Sequence, residues 1–406
     1  MTRPKDLPSV LQSWANGTYS PGPSWGSTPQ RAAPGASYLT PGVTLPAENA
    51  NYLHGNAFDA AQAAINMAGQ IPALNFSPLY SVGATGTAIA FSVIEQAWYL
   101  IQNSSITAYR SVDFGKTWTS FSLAVATAGG STSADIAIDT AGNIVVFASA
   151  TASQDATFTA YGVPTFTNRA AVFPGGQVGG IVYEPVSGNW VALGNATSAA
   201  AWVYTSSNRS TWTARTLPGT WTTTGSFNST IGVGGGLIVA AYLTAGVASQ
   251  FRTIRSSNGG VTWTNDQVVA CNAGISLAGG SSSITRPVWS STDSLWYIAC
   301  HQLSPRKTQV FSSPDGITWT TAATLLTNDC NFAGLQVLGS LLVAWNEDGR
   351  LFASINQGVN WYRCGATPAL SGSFNIPFIA AGNGILGISG TGVVASSRFG
   401  LPVTAA

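Results

Sequence analysis

Charged residues are scarce in this chain: Asp, Glu, Lys and Arg make up 8% of its 406 residues, and the formal net charge is +1. Such a composition does not favour long solvated helices. Because there is no basic run or tail, a nucleic-acid partner is not expected. There is also no apolar span of about 18 residues, and residues 1–6 lead into no export signal. We therefore expect a soluble chain that is not inserted into a membrane.

Metal-ligating residues are few as well, with two His and four Cys. The cysteines are Cys271, Cys300, Cys330 and Cys364, and they form no CxxC motif and no Cys/His pair with metal-binding spacing. We expect no metal and no cofactor. In a chain made in the cytosol, this pattern predicts buried free thiols in strands or turns.

The most informative feature that is present is a short segment that recurs along the chain and ends on an aromatic residue. The terminal aromatics are Trp118, Phe166, Trp212, Trp263, Trp319 and Trp361. Their spacing is close to the length of one β-propeller blade. The residues that define the copies are Ser111, Asp113, Gly115 and Trp118; Asn208 and Trp212; Ser256, Asn258, Gly260 and Trp263; Asp315, Gly316 and Trp319; and Asn356, Gly358 and Trp361.

The recurring segment has the chemistry of a tight turn. Asp or Asn accepts hydrogen bonds from backbone N–H groups just ahead, and Gly adopts a conformation that other residues resist. The Trp then buries a large ring at the start of the next strand. This pattern resembles the Asp-box (BNR) repeat of sialidases and other propellers, Ser-x-Asp-x-Gly-x-Thr-Trp. The resemblance implies that the box is an element of the fold, remote from an active site.

The rest of the chain from residue 71 repeats a unit of four short strands, with the box between the third and the fourth. Six apolar second strands align, and a seventh unit at 384–397 has no box. We therefore predict an all-β fold, a β-propeller of seven blades, with six blades as the alternative count. The incomplete last blade needs an outer strand from elsewhere, such as 72–80 or 401–406, which would close the ring.

The segment before the propeller has a different composition. Residues 1–46 are punctuated by Pro and Gly and contain Trp14 and Trp25, which predicts an extended arm. Residues 47–70 have helical patterning with Pro46 before the first turn and Gly69 at the far end. The predicted domains are thus an arm (1–46), a helix (47–70) and a propeller (71–406).

The up-and-down order of strands assigns loops to two faces of the propeller. Arg110 and Arg255 immediately precede boxes and belong to the box face, away from a central pocket for a sugar carboxylate. Ligand pockets of propellers that resemble this one use the opposite face. The loops predicted there contain Asp155, Trp202, Trp221, His301, Arg306, Lys307, Glu347, Asp348 and Arg350.

Catalytic groups cannot be assembled from these residues. A sialidase would need an arginine cluster, a Tyr–Glu pair and an acid/base Asp, and a general glycosidase needs two facing carboxylates. The adjacent Glu347 and Asp348 are more typical of a hairpin turn, and His301 of an ordinary loop residue. We therefore expect no enzyme and no catalytic residue, with a sialidase-like glycan hydrolase as the alternative. Exposed Trp rings on loops would favour glycan binding.

The leading segments resemble those of bacteriophage tail and other virion proteins, in which a Pro-Ala-Glu followed by Asn-x-Leu commonly starts a helix near the particle. Here these are residues 46–48 and 51–53. The resemblance implies docking through Trp14, Trp25, Tyr52 and Leu53, and a virion protein assembled in the host cytoplasm. Its partners would be other virion proteins, copies of itself in a symmetric assembly, and a host surface glycan. A propeller that only cements neighbouring subunits is the rival interpretation.

Overall fold

The computed structural model divides the chain into two units, Met1–Pro72 and Ala73–Ala406. It describes residues 80–398, all in the second unit, apart from gaps at 103–104, 114–116, 125, 127–133, 150–151, 158–163, 170–172, 174–176, 196–200, 219–228, 244–248, 272–281, 304–305, 328–331, 347–349, 367–377 and 383–384. The predicted arm (1–46) and helix (47–70) lie outside the described residues.

The described residues form antiparallel sheets, and the first three groups of four strands are named blades I to III. Blade I consists of β1 (Tyr80–Ser92), β2 (Ala97–Gln102), β3 (Thr107–Ser111) and β4 (Thr119–Ser122). Blade II consists of β5 (Asp135–Ile138), β6 (Ile144–Ser149), β7 (Ala152–Ala156) and β8 (Thr167–Asn168). Blade III consists of β9 (Gln177–Glu184), β10 (Asn189–Asn195), β11 (Ala201–Ser206) and β12 (Thr213–Arg215).

Blades IV to VI have the same up-and-down order of consecutive strands, because short strands in these segments alternate with tight turns. Blade IV consists of β13 (Ser229–Gly234), β14 (Leu237–Leu243), β15 (Gln250–Ser256) and β16 (Thr264–Ala270). Blade V has its first strand in two pieces, β17 (Ser282–Ile284) and β18 (Val288–Ser290), followed by β19 (Leu295–Leu303), β20 (Arg306–Ser313) and β21 (Thr320–Thr327). Blade VI consists of β22 (Phe332–Leu338), β23 (Leu341–Asn346), β24 (Arg350–Ser354) and β25 (Tyr362–Ala366).

Two further strands, β26 (Phe378–Gly382) and β27 (Ile385–Arg398), pair with each other and join the sheet of blade I. The first half of β1 pairs with β27, with Tyr80 opposite Val394, whereas its second half pairs with β2. The strand that pairs with β27 is thus β1, which begins at residue 80. Residue 80 is the last residue of 72–80, one of the two segments that the sequence analysis named for the outer strand.

The first strands of successive blades contact one another in chain order. These contacts run β1–β5, β5–β9, β9–β13, β13–β18, β18–β22 and β22–β26, and β26 in turn contacts β1. This cyclic order of inner strands, with meandering blades outside them, is the arrangement of a β-propeller. The prediction of an all-β fold of this type is confirmed.

The hydrophobic core lies between neighbouring blades. Apolar clusters join blades I and II, II and III, III and IV, IV and V, and V and VI in turn. The second strands are buried on both faces, as in β23 where every residue is buried, because each is packed between two sheets. Trp98, Trp190 and Trp296 occupy the same position near the start of three second strands and are fully buried.

Candidate functional site

The repeated turns are closed by the side chains that define the motif. In blade IV, the Ser256 hydroxyl donates to Asn258 Oδ1 at 2.9 Å, and the Thr262 N–H donates to the same oxygen at 2.9 Å. The Trp263 indole N–H donates to the Gly260 carbonyl at 2.9 Å. Gly260 has a φ of +80°, in the left-handed region that favours glycine. The predicted turn chemistry is therefore present in the fold.

The acidic copies use the same bonds with a carboxylate as acceptor. Asp315 accepts from the Thr318 N–H at 2.7 Å and the Thr318 hydroxyl at 2.9 Å, and Asp113 accepts from the backbone and hydroxyl of Thr117 at 2.8 and 2.6 Å. Backbone and hydroxyl donors lower the pKa of Asp315 to about 2, against the opposing effect of burial. Ser354 and Asn356 form the equivalent turn in blade VI, whereas Gly115 lies outside the described residues.

The copy in blade III, which contains Asn208 and Trp212, has no glycine at the position where other copies have a glycine with positive φ. Arg209 adopts a φ of +66° there, and the Trp212 indole N–H donates to its carbonyl at 3.1 Å, as the other indoles do to glycine. The Arg209 side chain crosses to blade II, where it donates to the Ala156 carbonyl at 3.1 Å and lies 3.7 Å from Asp155 Oδ2. The strained backbone thus places a cation on the neighbouring blade.

In blades II to VI, the box aromatic packs between its own blade and the one before it. Trp319 of blade V donates to the Thr253 hydroxyl of blade IV at 3.0 Å. Gly260 leaves no room for a side chain, because a Cβ there would lie 2.9 Å from Val191 of blade III. Phe166, which stands in place of Trp at the end of one copy, stacks on Phe121 of blade I at 5.8 Å. The boxes are therefore interblade contacts as well as turns.

The arginines before boxes are engaged on the box face, as predicted. Arg255 donates to the Asp315 carbonyl in the next box at 2.9 Å. Arg110 binds Glu95, in the turn between β1 and β2, at 2.8 Å, and the Tyr99 hydroxyl donates to the same carboxylate at 2.6 Å. Burial and Glu95 together raise the pKa of Tyr99 well above its usual range.

Several side chains predicted on ligand-facing loops lie instead inside the sheets. Asp155 is in β7, with 2% of its side chain exposed, and forms ion pairs with Arg169 and Arg209. Trp202 is buried in β11, where it fills the space beside Gly194. The prediction of exposed loop positions was wrong for both, because a neighbouring blade covers these strands and the single chain does not reveal that cover.

His301 is also buried, at 3% exposure in β19. Burial lowers its pKa to about 4, only partly offset by a backbone hydrogen bond with Phe332. It is therefore neutral at pH 7 and shielded from solvent, and its predicted place on a loop was wrong.

The remaining candidates on the predicted ligand face divide into two groups. Arg306, Lys307 and Arg350 are partly buried and lie within strands β20 and β24. Trp221, Glu347 and Asp348 lie outside the described residues, as do Trp14, Trp25, Tyr52 and Leu53 of the predicted docking arm.

A cavity of about 430 Å³ opens among the inner strands β9, β13, β18 and β22. Val182, Val233 and Val337 contribute apolar walls, and the cavity reaches Gly339 in the turn between β22 and β23. Turns between first and second strands share a face with the boxes, as the contact of Glu95 with Arg110 demonstrates. The described cavity is therefore on the box face, whereas the predicted ligand face was the opposite one.

Four residues with polar side chains line this cavity, namely Arg286, Trp289, Ser291 and Gln336. Arg286, at 42% exposure, crosses between inner strands to form an ion pair with Asp135 of blade II, which also accepts from the Ile181 N–H at 2.8 Å. Gln336 and Trp289 have no side-chain hydrogen bond to another described residue. The Trp289 ring packs on Trp296 at 5.6 Å. The Arg286 guanidinium, the Gln336 amide and the Trp289 indole therefore line the same cavity. No sequence motif predicted these residues.

The described residues contain no group of three or more His, Cys, Asp or Glu positioned to hold a metal ion. Within that same part of the chain, no helix has the length and apolar character needed to cross a membrane.

Comparisons with known proteins yield similarity of fold. No family model matches the chain, and no curated protein matches it. Among solved structures, YCF48 bound to D1 peptide is 13% identical with a TM-score of 0.53, covering 81% of this chain and 99% of that one. YCF48 from Cyanidioschyzon merolae is 13% identical with a TM-score of 0.52, covering 80% of this chain and 99% of that one. A PL25 ulvan lyase bound to -[GlcA(1-4)Rha3S]- is 10% identical with a TM-score of 0.51, covering 79% and 95%. These similarities establish a β-propeller-like fold.

Proposed function

We propose that this protein is a structural component of a bacteriophage particle that docks through residues 1–46 and displays a propeller built of Asp-box blades. The N-terminal segments that resemble virion proteins support the docking role. The observation that carries the non-catalytic part is the engagement of three described carboxylates. Glu95, Asp155 and Asp315 all hold turns or neighbouring blades together, so they serve the scaffold and not a reaction.

Particle incorporation tests the docking role. Deleting residues 1–46 should abolish incorporation, while the circular dichroism and thermal unfolding of the purified chain stay those of a folded β protein. The full-length chain expressed in parallel is the control. Incorporation at the full-length level would refute docking through this segment.

We also infer seven blades, the seventh formed by β26, β27 and the first half of β1. The cyclic contacts of the inner strands support this count, because β22 touches β26 and β26 touches β1. Closure by strands from both ends removes an unpaired sheet edge. Removing residues 378–406 should therefore lower the thermal midpoint of the whole propeller. An unchanged midpoint would favour six blades.

Binding of an acidic glycan is the second part of the proposal, and the central cavity supports it. Arg286 can meet a sugar carboxylate with a charged N–H donor, while Gln336 offers both a donor and an acceptor to hydroxyls. Similar propellers include one bound to a peptide and one bound to a glucuronate-containing chain, so the fold accommodates both ligand types. A sialidase-like hydrolase is the alternative, and release of sugar from a host glycan would favour it.

Glycan binding is tested with uronate-containing oligosaccharides and full-length protein. Arg286→Gln should weaken binding by on the order of tenfold, the loss of one charge-assisted hydrogen bond. Arg363→Gln is the matched control, because it removes the same charge at an exposed position outside the cavity. Equal affinities for both variants, at equal thermal stability, would remove the cavity from the proposal and favour a cementing role.

A further inference from the structure

Two of the four cysteines meet at the boundary between blades IV and V. Cys271 directly follows β16, and its N–H donates to the Ser249 carbonyl at 2.8 Å. Cys300 lies within β19, opposite Gln309 on one side and Ile284 on the other. The two residues are 29 positions apart in sequence, yet their Sγ atoms are 3.1 Å apart. The fold thus brings together thiols that the sequence indicated only as separate buried groups.

The surroundings of the pair hold both sulfurs in place. They belong to one apolar cluster with residues of both blades, among them Phe251 and Phe311, whose rings lie 5.3 Å apart. Cys300 is fully buried, whereas 8% of Cys271 is exposed. A disulfide needs an S–S separation of about 2.05 Å, so the sulfurs must approach by about 1 Å. We expect rotation of the two Cys side chains to supply movement of this size.

We propose that Cys271 and Cys300 are a modification site, at which oxidation forms a disulfide that joins blades IV and V covalently. In the reduced protein the pair is a buried S–H···S contact. After oxidation the same two positions anchor the end of β16 to the middle of β19. The proposal rests on the contact between the sulfurs and is independent of the proposed function.

A small peroxide fits the chemistry of this site. The Cys271 sulfur, the one with exposure, attacks a peroxide oxygen, which breaks the O–O bond and yields a sulfenic acid and water. Cys300 then loses its proton and attacks the Cys271 sulfur, forming the S–S bond and expelling the sulfenic oxygen as a second water. Overall, two thiols are oxidised by two electrons and one hydrogen peroxide is reduced to two waters.

Burial of Cys300 should slow the second step, in which its thiolate attacks Cys271. It raises the pKa of the Cys300 thiol, since the charged thiolate is poorly solvated among apolar groups. The thiolate is the attacking form, so cross-linking should accelerate as the pH rises. The proximity of the sulfurs offsets the low thiolate fraction, because the attack needs no diffusion.

Peptide mapping of the full chain tests the proposal. Hydrogen peroxide should remove the two thiols of Cys271 and Cys300 from the reduced, folded protein, and digestion should recover one peptide pair linked through these residues. Dithiothreitol should restore all four thiols. The oxidised form should unfold a few degrees higher than the reduced form, because the cross-link restricts the unfolded chain.

Two variants separate this site from the other cysteines. Cys330→Ser/Cys364→Ser should still form the linked pair, whereas Cys300→Ser should not and should leave oxidised Cys271 as a sulfenic or sulfinic acid. The wild-type mapping stands if a variant fails to fold. The proposal is overturned if the peroxide-treated wild type keeps both thiols alkylatable after unfolding, carries only unlinked sulfinic acid at Cys271, or links either residue to Cys330 or Cys364.

Discussion

Removing the Asp315 carboxylate tests whether the box turn is held by its side chain. Asp315 accepts from the Ile317 N–H at 3.0 Å, the Ser313 hydroxyl at 3.0 Å, and both the N–H and the hydroxyl of Thr318. Asp315→Ala leaves these donors without their acceptor. The side chain is 34% exposed, so water replaces part of the loss. We expect a cost of about 2–3 kcal/mol, the scale of a lost helix cap or charged hydrogen bond.

Asp315→Asn is the matched control, because the chain already uses Asn at this position in other blades. Asn258 keeps the turn closed with its Oδ1 and donates from Nδ2 to the Thr262 hydroxyl at 2.8 Å. Asn at 315 can make the same bonds without the charge. We therefore expect a cost of only about 1 kcal/mol, the difference between a charged and a neutral acceptor.

The pH dependence of the two proteins gives a second measure. The folded pKa of Asp315 is about 2, below the ordinary 3.8. A depressed carboxyl pKa stabilises the fold above pH 3.8, and this stabilisation is lost as the pH falls towards 2. The advantage of wild type over Asp315→Asn should therefore be constant above pH 5 and shrink at pH 3, with solvent screening limiting its size.

Denaturant unfolding followed by tryptophan fluorescence measures these differences, and hydrogen exchange at the Thr318 amide reports the turn locally. Exchange should accelerate in Asp315→Ala and stay near the wild-type rate in Asp315→Asn. Equal losses for Ala and Asn, or a wild-type advantage that does not change between pH 7 and pH 3, would refute the reasoning.

Three further predictions concern packing, burial and strain. Gly334→Ala should cost about 3 kcal/mol in unfolding free energy, because its Cβ would overlap the buried Trp345 indole. Gly339→Ala should cost about 1 kcal/mol, because Gly339 has a φ of +60° but no atom within 4 Å of the added Cβ. Equal costs would contradict the packing argument. His301 has a pKa lowered from 6.5 to about 4, so the folded protein should lose about 3 kcal/mol of stability as the pH falls from 6.5 to 4 and the buried imidazole is protonated. His301→Gln should flatten this part of the stability–pH curve. An unaltered curve would show that another group titrates. Arg209→Gly relieves the strain of a positive φ at a residue with a Cβ, but it leaves Asp155 with one arginine instead of two, so we expect a net loss of about 1 kcal/mol in unfolding free energy. A gain on denaturant unfolding would mean that strain outweighs the interblade contact.

Much of the fold could be predicted because its signals are local. Asp or Asn, Gly and Trp at fixed spacing specify a turn whatever surrounds it, and the apolar second strands are readable as runs. Even the copy that ends at Phe166 was recognisable, since Phe166 occupies an equivalent place between blades I and II. The arginines before boxes could be assigned to a face for the same reason, because strand order alone fixes which turns share an end.

The site could not be predicted in this way. Asp155, Trp202 and His301 resemble loop residues in a linear reading, yet each is covered by a blade that lies elsewhere in the chain. Arg286 and Asp135 are 151 positions apart, and no spacing rule relates them. Gln336 and Trp289 carry no motif, and they matter only because the inner strands converge beside a cavity.

The amino-acid sequence alone determined the repeating unit, the turn chemistry and the all-β class, because hydrogen bonds within a few residues and strand alternation depend on near neighbours. Tertiary structure decided which polar groups are buried, which face holds the cavity and that Cys271 lies against Cys300. Those outcomes depend on how the blades curve around the inner strands and on which side chains meet across each boundary. Such contacts form between residues that are distant in the chain, so their physical cause lies in packing between sheets.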